Sequence, residues 1–214
     1  MFRKNFYRSL IFCLFIVGSF LIAVTSHARE LKLLAFGDSL IAGYGLPKKD
    51  GFSDQLEAAF NEAGTRLKVI NAGVSGDTSA GGLSRIDWAL GVNPDAILLE
   101  LGANDSLRGI DPAITKMNLQ KLLTKLEKTG MPILFAGMIA PPNMGKEYGL
   151  EFERVYLELA ETNDVIFYPF FLEGVAGVPE LNQEDGIHPN KEGVSKIVKK
   201  IAPFVTDLLK RVKL

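Results

Sequence analysis

The sequence predicts an α/β protein, a three-layer α/β/α sandwich on a parallel sheet of about five strands. Three observations lead there. Five apolar runs of strand length recur along the chain. Helix-like stretches separate them, the alternation expected of βαβ units. The runs are apolar almost without interruption, as strands are when helices cover both faces of a sheet.

The first run is Leu31-Lys32-Leu33-Leu34-Ala35-Phe36, and Gly37-Asp38-Ser39 is the turn that leaves it. The others are Leu67–Ile70, Ala96–Leu99, Ile133–Ala136 and Val165–Tyr168. The intervening helices are expected at Phe52–Ala63, Ala80–Leu90, Pro112–Lys128 and Glu147–Glu161. From Pro189 to Leu214 the residues Val194, Ile197, Val198, Ile201, Val205 and Leu208 fall at helical spacing, with Lys196, Lys199 and Lys200 outward. Pro203 lies inside this pattern, and a kink or break is expected there because proline lacks the N–H that a helix interior uses. Ile139–Lys146, with two prolines and a glycine, reads as a loop placed after a strand end, where it can border a site.

The amino terminus follows different rules. Arg3, Lys4 and Arg8 precede an apolar stretch from Leu10 to Val24 and then Ser26-His27-Ala28. A basic segment, an apolar segment and a small-x-small cleavage site read as a secretory signal peptide over residues 1–28, the other reading being an uncleaved membrane anchor. The apolar stretch is short for a membrane span, so no stable span is expected after cleavage. Residues 29–214, 186 in all, then form one domain with room for a substantial core.

Cleavage changes the chemistry on offer. Three cations leave, so 21 of the 24 Lys and Arg face 25 Asp and Glu, a net charge of −4 that gives no support for nucleic acid as a partner. The single cysteine, Cys13, leaves too, which excludes disulfides, thiolate metal sites and a cysteine nucleophile. Of two histidines only His188 remains, so metal sites built from several imidazoles are excluded.

Strand ends in such a sheet converge on one edge, where open α/β sheets bind ligands. Four polar or Gly-rich turns are expected there. They are Gly37-Asp38-Ser39, Asn71–Thr78, Gly102-Ala103-Asn104-Asp105, and Asp185-Gly186-Ile187-His188-Pro189-Asn190. Each alone also reads as a helix cap or a turn. Together they supply the parts of acyl transfer. Ser39 can be the nucleophile, His188 the base, and Asp185 the group that fixes the imidazole's tautomer. Ser39 and Gly76 can present backbone N–H groups, and Asn104 its side-chain amide, to a developing oxyanion. Pro189 biases His188 to extended geometry and sets it at the start of the last helix.

These blocks resemble, in order, those of the SGNH (GDSL) hydrolases. The resemblance covers most of the mature chain. Within that family it is similar to the bacterial thioesterase I, arylesterase and lysophospholipase group, through Ser39–Gly45, Ser75–Ser79 and Asn104–Gly109. It implies a Ser39–Asp185–His188 triad, an oxyanion hole from Ser39, Gly76 and Asn104, a flavodoxin-like fold, and no metal or organic cofactor. It also implies that the loop after the Asn104 block lines the acyl site, which points to Leu107, Arg108, Gly109, Ile110 and Pro112. The absence of Gly-x-Ser-x-Gly argues against an α/β-hydrolase.

The expectation is therefore an exported monomeric serine hydrolase, periplasmic or secreted, acting on small acyl esters, thioesters or lysophospholipids. Two other readings use the same turns: a carbohydrate acetylesterase, and a non-catalytic periplasmic protein that holds an anion or nucleotide.

Overall fold

The computed structural model describes residues 29–213, so the expected signal peptide lies outside the described residues. Five strands form one wholly parallel sheet: β1 (Leu31–Gly37), β2 (Leu67–Gly73), β3 (Ala96–Glu100), β4 (Ile133–Ala136) and β5 (Ile166–Tyr168). Their order across the sheet is β2-β1-β3-β4-β5. Every residue of the central strand β3 is buried, and β4 is buried throughout. The edge strand β2 behaves differently. Leu67 and Val69 turn inward while Lys68 turns to solvent and pairs with Glu57, so alternation appears where one side of the strand has no neighbour.

Among the described residues seven α-helices connect or follow the strands: α1 (Ser39–Ala42), α2 (Phe52–Glu62), α3 (Ser79–Ala89), α4 (Ala103–Leu107), α5 (Pro112–Glu127), α6 (Lys146–Thr162) and α7 (Lys191–Lys210). On one face α2 packs with α7, and on the other α5 packs between α3 and α6. Leu33, Phe36, Ile97, Leu98, Leu134 and Phe135 are 1% exposed or less, which places the core on both faces of β1, β3 and β4. The chain runs from β1 outward to β2 and then returns past β1 to β3. That reversal puts a crevice beyond the carboxyl ends of β1 and β3.

Local chemistry sets the helix boundaries. Asp38, Thr78, Asp111 and Asn190 cap α1, α3, α5 and α7 with side-chain oxygens that accept first-turn N–H groups. Pro112 occupies the first turn of α5, where its missing N–H has no partner to lose.

The final helix does not break where a kink or break was expected. It runs unbroken from Lys191 to Lys210, through Pro203. Pro203 faces solvent, so the carbonyl it leaves without a partner stays open to water. Buried Val198, Ile201, Val205 and Leu208 hold both sides of it to the sheet. Tertiary packing outweighs the local penalty. Pro203→Ala is accordingly expected to stabilise the fold by about 2 kcal/mol, the helix penalty of proline less its restriction of the unfolded chain. Urea denaturation of the two proteins checks this, and an unchanged midpoint would contradict it.

Candidate active site

Strand β1 ends at Gly37, and the chain turns at once into the short helix α1. Asp38 is the N-cap, and its Oδ1 accepts from the Leu40 N–H at 3.0 Å. Ser39 is therefore the first residue of α1, so its N–H has no acceptor inside the helix. Close packing needs glycine on both sides of this turn. A Cβ on Gly37 would lie 2.4 Å from Ile41, and one on Gly73 would lie 2.2 Å from the Ala42 nitrogen.

From the other end of the chain His188 reaches the same point. Its Nε2 lies 2.9 Å from Ser39 Oγ, and its Nδ1 lies 2.6 Å from Asp185 Oδ2. The other carboxylate oxygen, Oδ1, accepts the backbone N–H groups of Ile187 and His188, each at 3.0 Å. Partial burial is the largest single influence on Asp185 and pushes its pKa upward. The His188 N–H, the His188 ring and the Ile187 N–H together outweigh it and bring the pKa down to about 2. Asp185 thus stays ionised at neutral pH and holds Nδ1 as the donor, which leaves Nε2 to accept from Ser39.

His188 does not sit on the last helix, as expected from Pro189. Asn190 is the cap, the helix begins at Lys191, and Pro189 forms an isolated bridge with Asn182. Gln183 fastens this segment. Its N–H donates to the His188 carbonyl at 2.8 Å, and its side-chain amide donates to the carbonyls of Tyr44 and Pro189. Tyr44 lays its ring against the imidazole, with centroids 4.5 Å apart.

Gly76 and Asn104 complete the edge. Gly76 has φ +84, a left-handed conformation that glycine adopts without strain. Arg108 donates to the Gly76 carbonyl at 2.8 Å, which fixes the plane of the following peptide. Asn104, in the first turn of α4, donates from Nδ2 to Asp38 Oδ2 at 2.9 Å. An amide nitrogen carries two hydrogens, so one remains for a ligand. Neighbouring Asp105 points away from the cavity into a buried network. It accepts from the Ser79 N–H at 2.7 Å, from Ser79 Oγ at 2.5 Å and from Thr115 Oγ1 at 3.1 Å.

Ser39, Gly76, Asn104 and His188 line one cavity of about 580 Å³, while Asp185 lies behind His188. Of the five residues expected to line an acyl site, Leu107 does so. Arg108, Gly109, Ile110 and Pro112 lie outside the lining: Arg108 is spent on Gly76, the Ile110 carbonyl accepts from Tyr148, and Pro112 is buried in α5. The family resemblance suggested them, but after Leu107 the chain runs along the surface through Arg108, Gly109 and Asp111 until Pro112 enters α5. Met138, Ile139, Pro141, Pro142 and Phe170 form the wall instead, together with Tyr44 and Ile187. The proline-containing loop Ile139–Lys146 signalled Ile139, Pro141 and Pro142. Phe170 was not signalled; it lies two residues beyond the carboxyl end of β5.

Comparison with known proteins now agrees with this geometry. Residues 35–195 match the GDSL-like lipase/acylhydrolase family. The chain belongs to that family. Like other members of the GDSL-like lipase/acylhydrolases it is an SGNH-type ester hydrolase. It is 40% identical to an arylesterase of Vibrio mimicus over 86% of this chain and 92% of that one. It is 35% identical to the thioesterase 1/protease 1/lysophospholipase L1 of Escherichia coli K12, over 88% of this chain and 86% of that one. Among solved structures it resembles the psychrotrophic esterase EstA from Pseudoalteromonas sp., inhibited by monoethylphosphonate. There the TM-score is 0.80 at 31% identity, covering 85% of this chain and 100% of that one.

The lowered pKa of Asp185 has a sign that can be tested. A carboxylate whose folded pKa lies below its unfolded value of about 3.9 stabilises the fold above that value, and the contribution fades as pH falls toward the folded pKa. The wild-type advantage in Tm over Asp185→Asn is expected to be constant above about pH 4 and to shrink as pH drops from there toward 2. Thermal melts of both proteins between those limits read it directly; a difference that does not change would refute the assignment.

Proposed function

We propose that the mature protein cleaves ester and thioester bonds of acyl substrates through an acyl-enzyme on Ser39. The observation that supports this most is the Asp185–His188–Ser39 chain of hydrogen bonds ending in an apolar cavity. Ser39 Oγ attacks the carbonyl carbon while His188 Nε2 takes its proton, and Asp185 stabilises the imidazolium that forms. The negative charge on the carbonyl oxygen falls to the Ser39 N–H, the Gly76 N–H and the Asn104 amide. His188 then protonates the leaving alcohol or thiol, and water, activated by the same imidazole, releases the acyl group as a carboxylic acid.

The cavity wall favours acyl chains over carbohydrate. No Asp, Glu, Lys or Arg lines it. A sugar needs charged or fork-like donors to replace its hydration, whereas an alkyl chain needs only apolar surface. Burying one methylene is worth about 0.8 kcal/mol, which is about fourfold in kcat/KM. The relatives named an arylesterase and a thioesterase/lysophospholipase have compatible substrate classes. Export as a periplasmic or secreted protein belongs to the same proposal, supported by the signal-like residues 1–28. Among the described residues no helix is long and apolar enough to cross a membrane. An exported enzyme is separated from cytoplasmic acyl-CoA, so lysophospholipids and other envelope esters are its expected substrates.

A fluorophosphonate probe followed by intact mass is expected to give a single adduct on the wild type and none on Ser39→Ala. Both Ser39→Ala and His188→Ala should lower kcat by at least about a thousandfold while remaining folded. With p-nitrophenyl esters kcat/KM should rise as the acyl chain lengthens from acetyl. A steady fall instead would move the assignment to an acetylesterase, and no adduct on folded protein would sink the nucleophile.

A further inference from the structure

Beneath the nucleophile lie two carboxyl groups that the mechanism above does not use. Asp38 and Glu100 both show no exposure to solvent. They are neighbours because β1 and β3 pair with Phe36 opposite Leu99, which sets the next residues, Gly37 and Glu100, side by side. Gly37 leaves the space that Glu100 fills, since a Cβ there would lie 2.5 Å from Glu100 Oε2.

Their hydrogen bonds are unequal. Both oxygens of Asp38 meet donors, Oδ1 the Leu40 N–H at 3.0 Å and Oδ2 the Asn104 amide at 2.9 Å. On Glu100, Oε2 accepts the Asp38 N–H at 3.3 Å, and the fully buried Oε1 has no partner. Two adjoining buried carboxyls do not both ionise, and the charge goes to the one whose oxygens are both met by donors. We infer that Asp38 and Glu100 form a buried pair holding one proton, carried by Glu100, and that ionised Asp38 is a positioning residue for the Asn104 amide.

An aspartate is needed there for a reason of hydrogen-bond polarity. Both partners of the Asp38 side chain are N–H donors, so an asparagine would turn its own donors against one of them. With one Asn104 hydrogen held by Asp38, the other is fixed toward the cavity, where the oxyanion forms. Several groups act on Asp38. Burial raises its pKa, the Leu40 and Asn104 hydrogen bonds and His188 oppose that, and Asp77 adds to it, which leaves it at about 6. Asp77 is itself paired with Arg85, which also donates to the Gly37 carbonyl. For Glu100, burial and the charge of Asp38 push the pKa upward, as a proton holder requires. Tyr156, buried beside the pair, gives its hydroxyl hydrogen to the Leu101 carbonyl.

This inference rests on the serine-hydrolase reading, and its test separates the two. Asp38→Asn is expected to lower kcat about a hundredfold, the loss of one oxyanion donor, with KM little changed. In an Asn104→Ala background the same substitution should cost less than about twofold, because a residue acting through Asn104 has nothing left to position. Effects that multiply would overturn the role. Glu100→Gln, which keeps a neutral group of the same shape, should retain activity within about threefold. A loss as large as that of Asp38→Asn would overturn the placement of the proton. A measurement without turnover covers the case in which Asp38→Asn fails to fold. In the His188→Ala protein, where the downward pull of His188 on Asp38 is gone, the side-chain amide NMR signals of Asn104 should shift with a midpoint above about pH 6 as Asp38 takes up a proton. Signals flat from about pH 8 to about 4.5 would end the proposal even if Ser39 still labels with the probe.

Discussion

A hydrogen bond of 2.9 Å joins Ser39 to His188, residues 149 positions apart, and the remainder of the site depends on it. Neither residue can reach the other through local structure. Ser39 is held by its place at the mouth of a buried strand. His188 is held by a segment of irregular chain, which has no ladder or helix to fix it. That segment substitutes side-chain hydrogen bonds for regular structure: Asn182 donates to the carbonyls of Val175 and Val178, Gln183 reaches across to Tyr44, and Asn190 both caps the last helix and donates to Glu180. A loop with several such anchors loses the freedom that would otherwise be lost at each turnover.

The same logic extends along the sheet edge. Arg85 donates to the carbonyls of Ala72 and Gly37, pairs with Asp77, and lies 4.0 Å from the centre of the Phe36 ring. It thereby ties the ends of β1 and β2, the points from which the Ser39 and Gly76 turns depart. Asp105 ties α4 to α3 and α5 through Ser79 and Thr115, and Asn118 donates to the same Ser79 hydroxyl. None of these groups faces the cavity. Electrostatic catalysis needs donors that are already aimed when charge develops, and polar networks satisfied behind the wall provide that stiffness.

Much of this was legible in the sequence, because buried parallel strands are apolar throughout and the helices between them carry their own caps. All five strands and the four intervening helices lie within a few residues of the expected bounds. Ser39, Gly76, Asn104, Asp185 and His188 could be found because each stands in a turn that a parallel sheet must place at one edge. What was illegible depends on where a chain points after leaving that edge. Arg108 and Ile110 follow Asn104 in sequence, yet they turn toward Gly76 and Tyr148. Tyr44 and Phe170 come from loops whose paths are set by distant contacts, with Gln183 in the first case. Pro203 does not break the helix because its penalty is local, while the packing of Val198 and Val205 is not.

Three acids around one serine show how far environment decides chemistry. Asp185, partly exposed and met by three donors, is held down to about 2, while Asp38, wholly buried, is raised to about 6. Glu100, buried with one oxygen unmatched, is raised well above its ordinary value. The first is an anion across the whole useful pH range, as the partner of an imidazole that must gain and lose a proton has to be. A neutral acid in its place would leave the imidazolium without its counter-charge. The last is suited to the opposite task, since a second fixed anion beneath the developing oxyanion would raise the barrier it helps to lower. Asp38 stands between them, and its charge is tolerable because the Asn104 amide lies in between, with one hydrogen on the carboxylate and one left for the substrate.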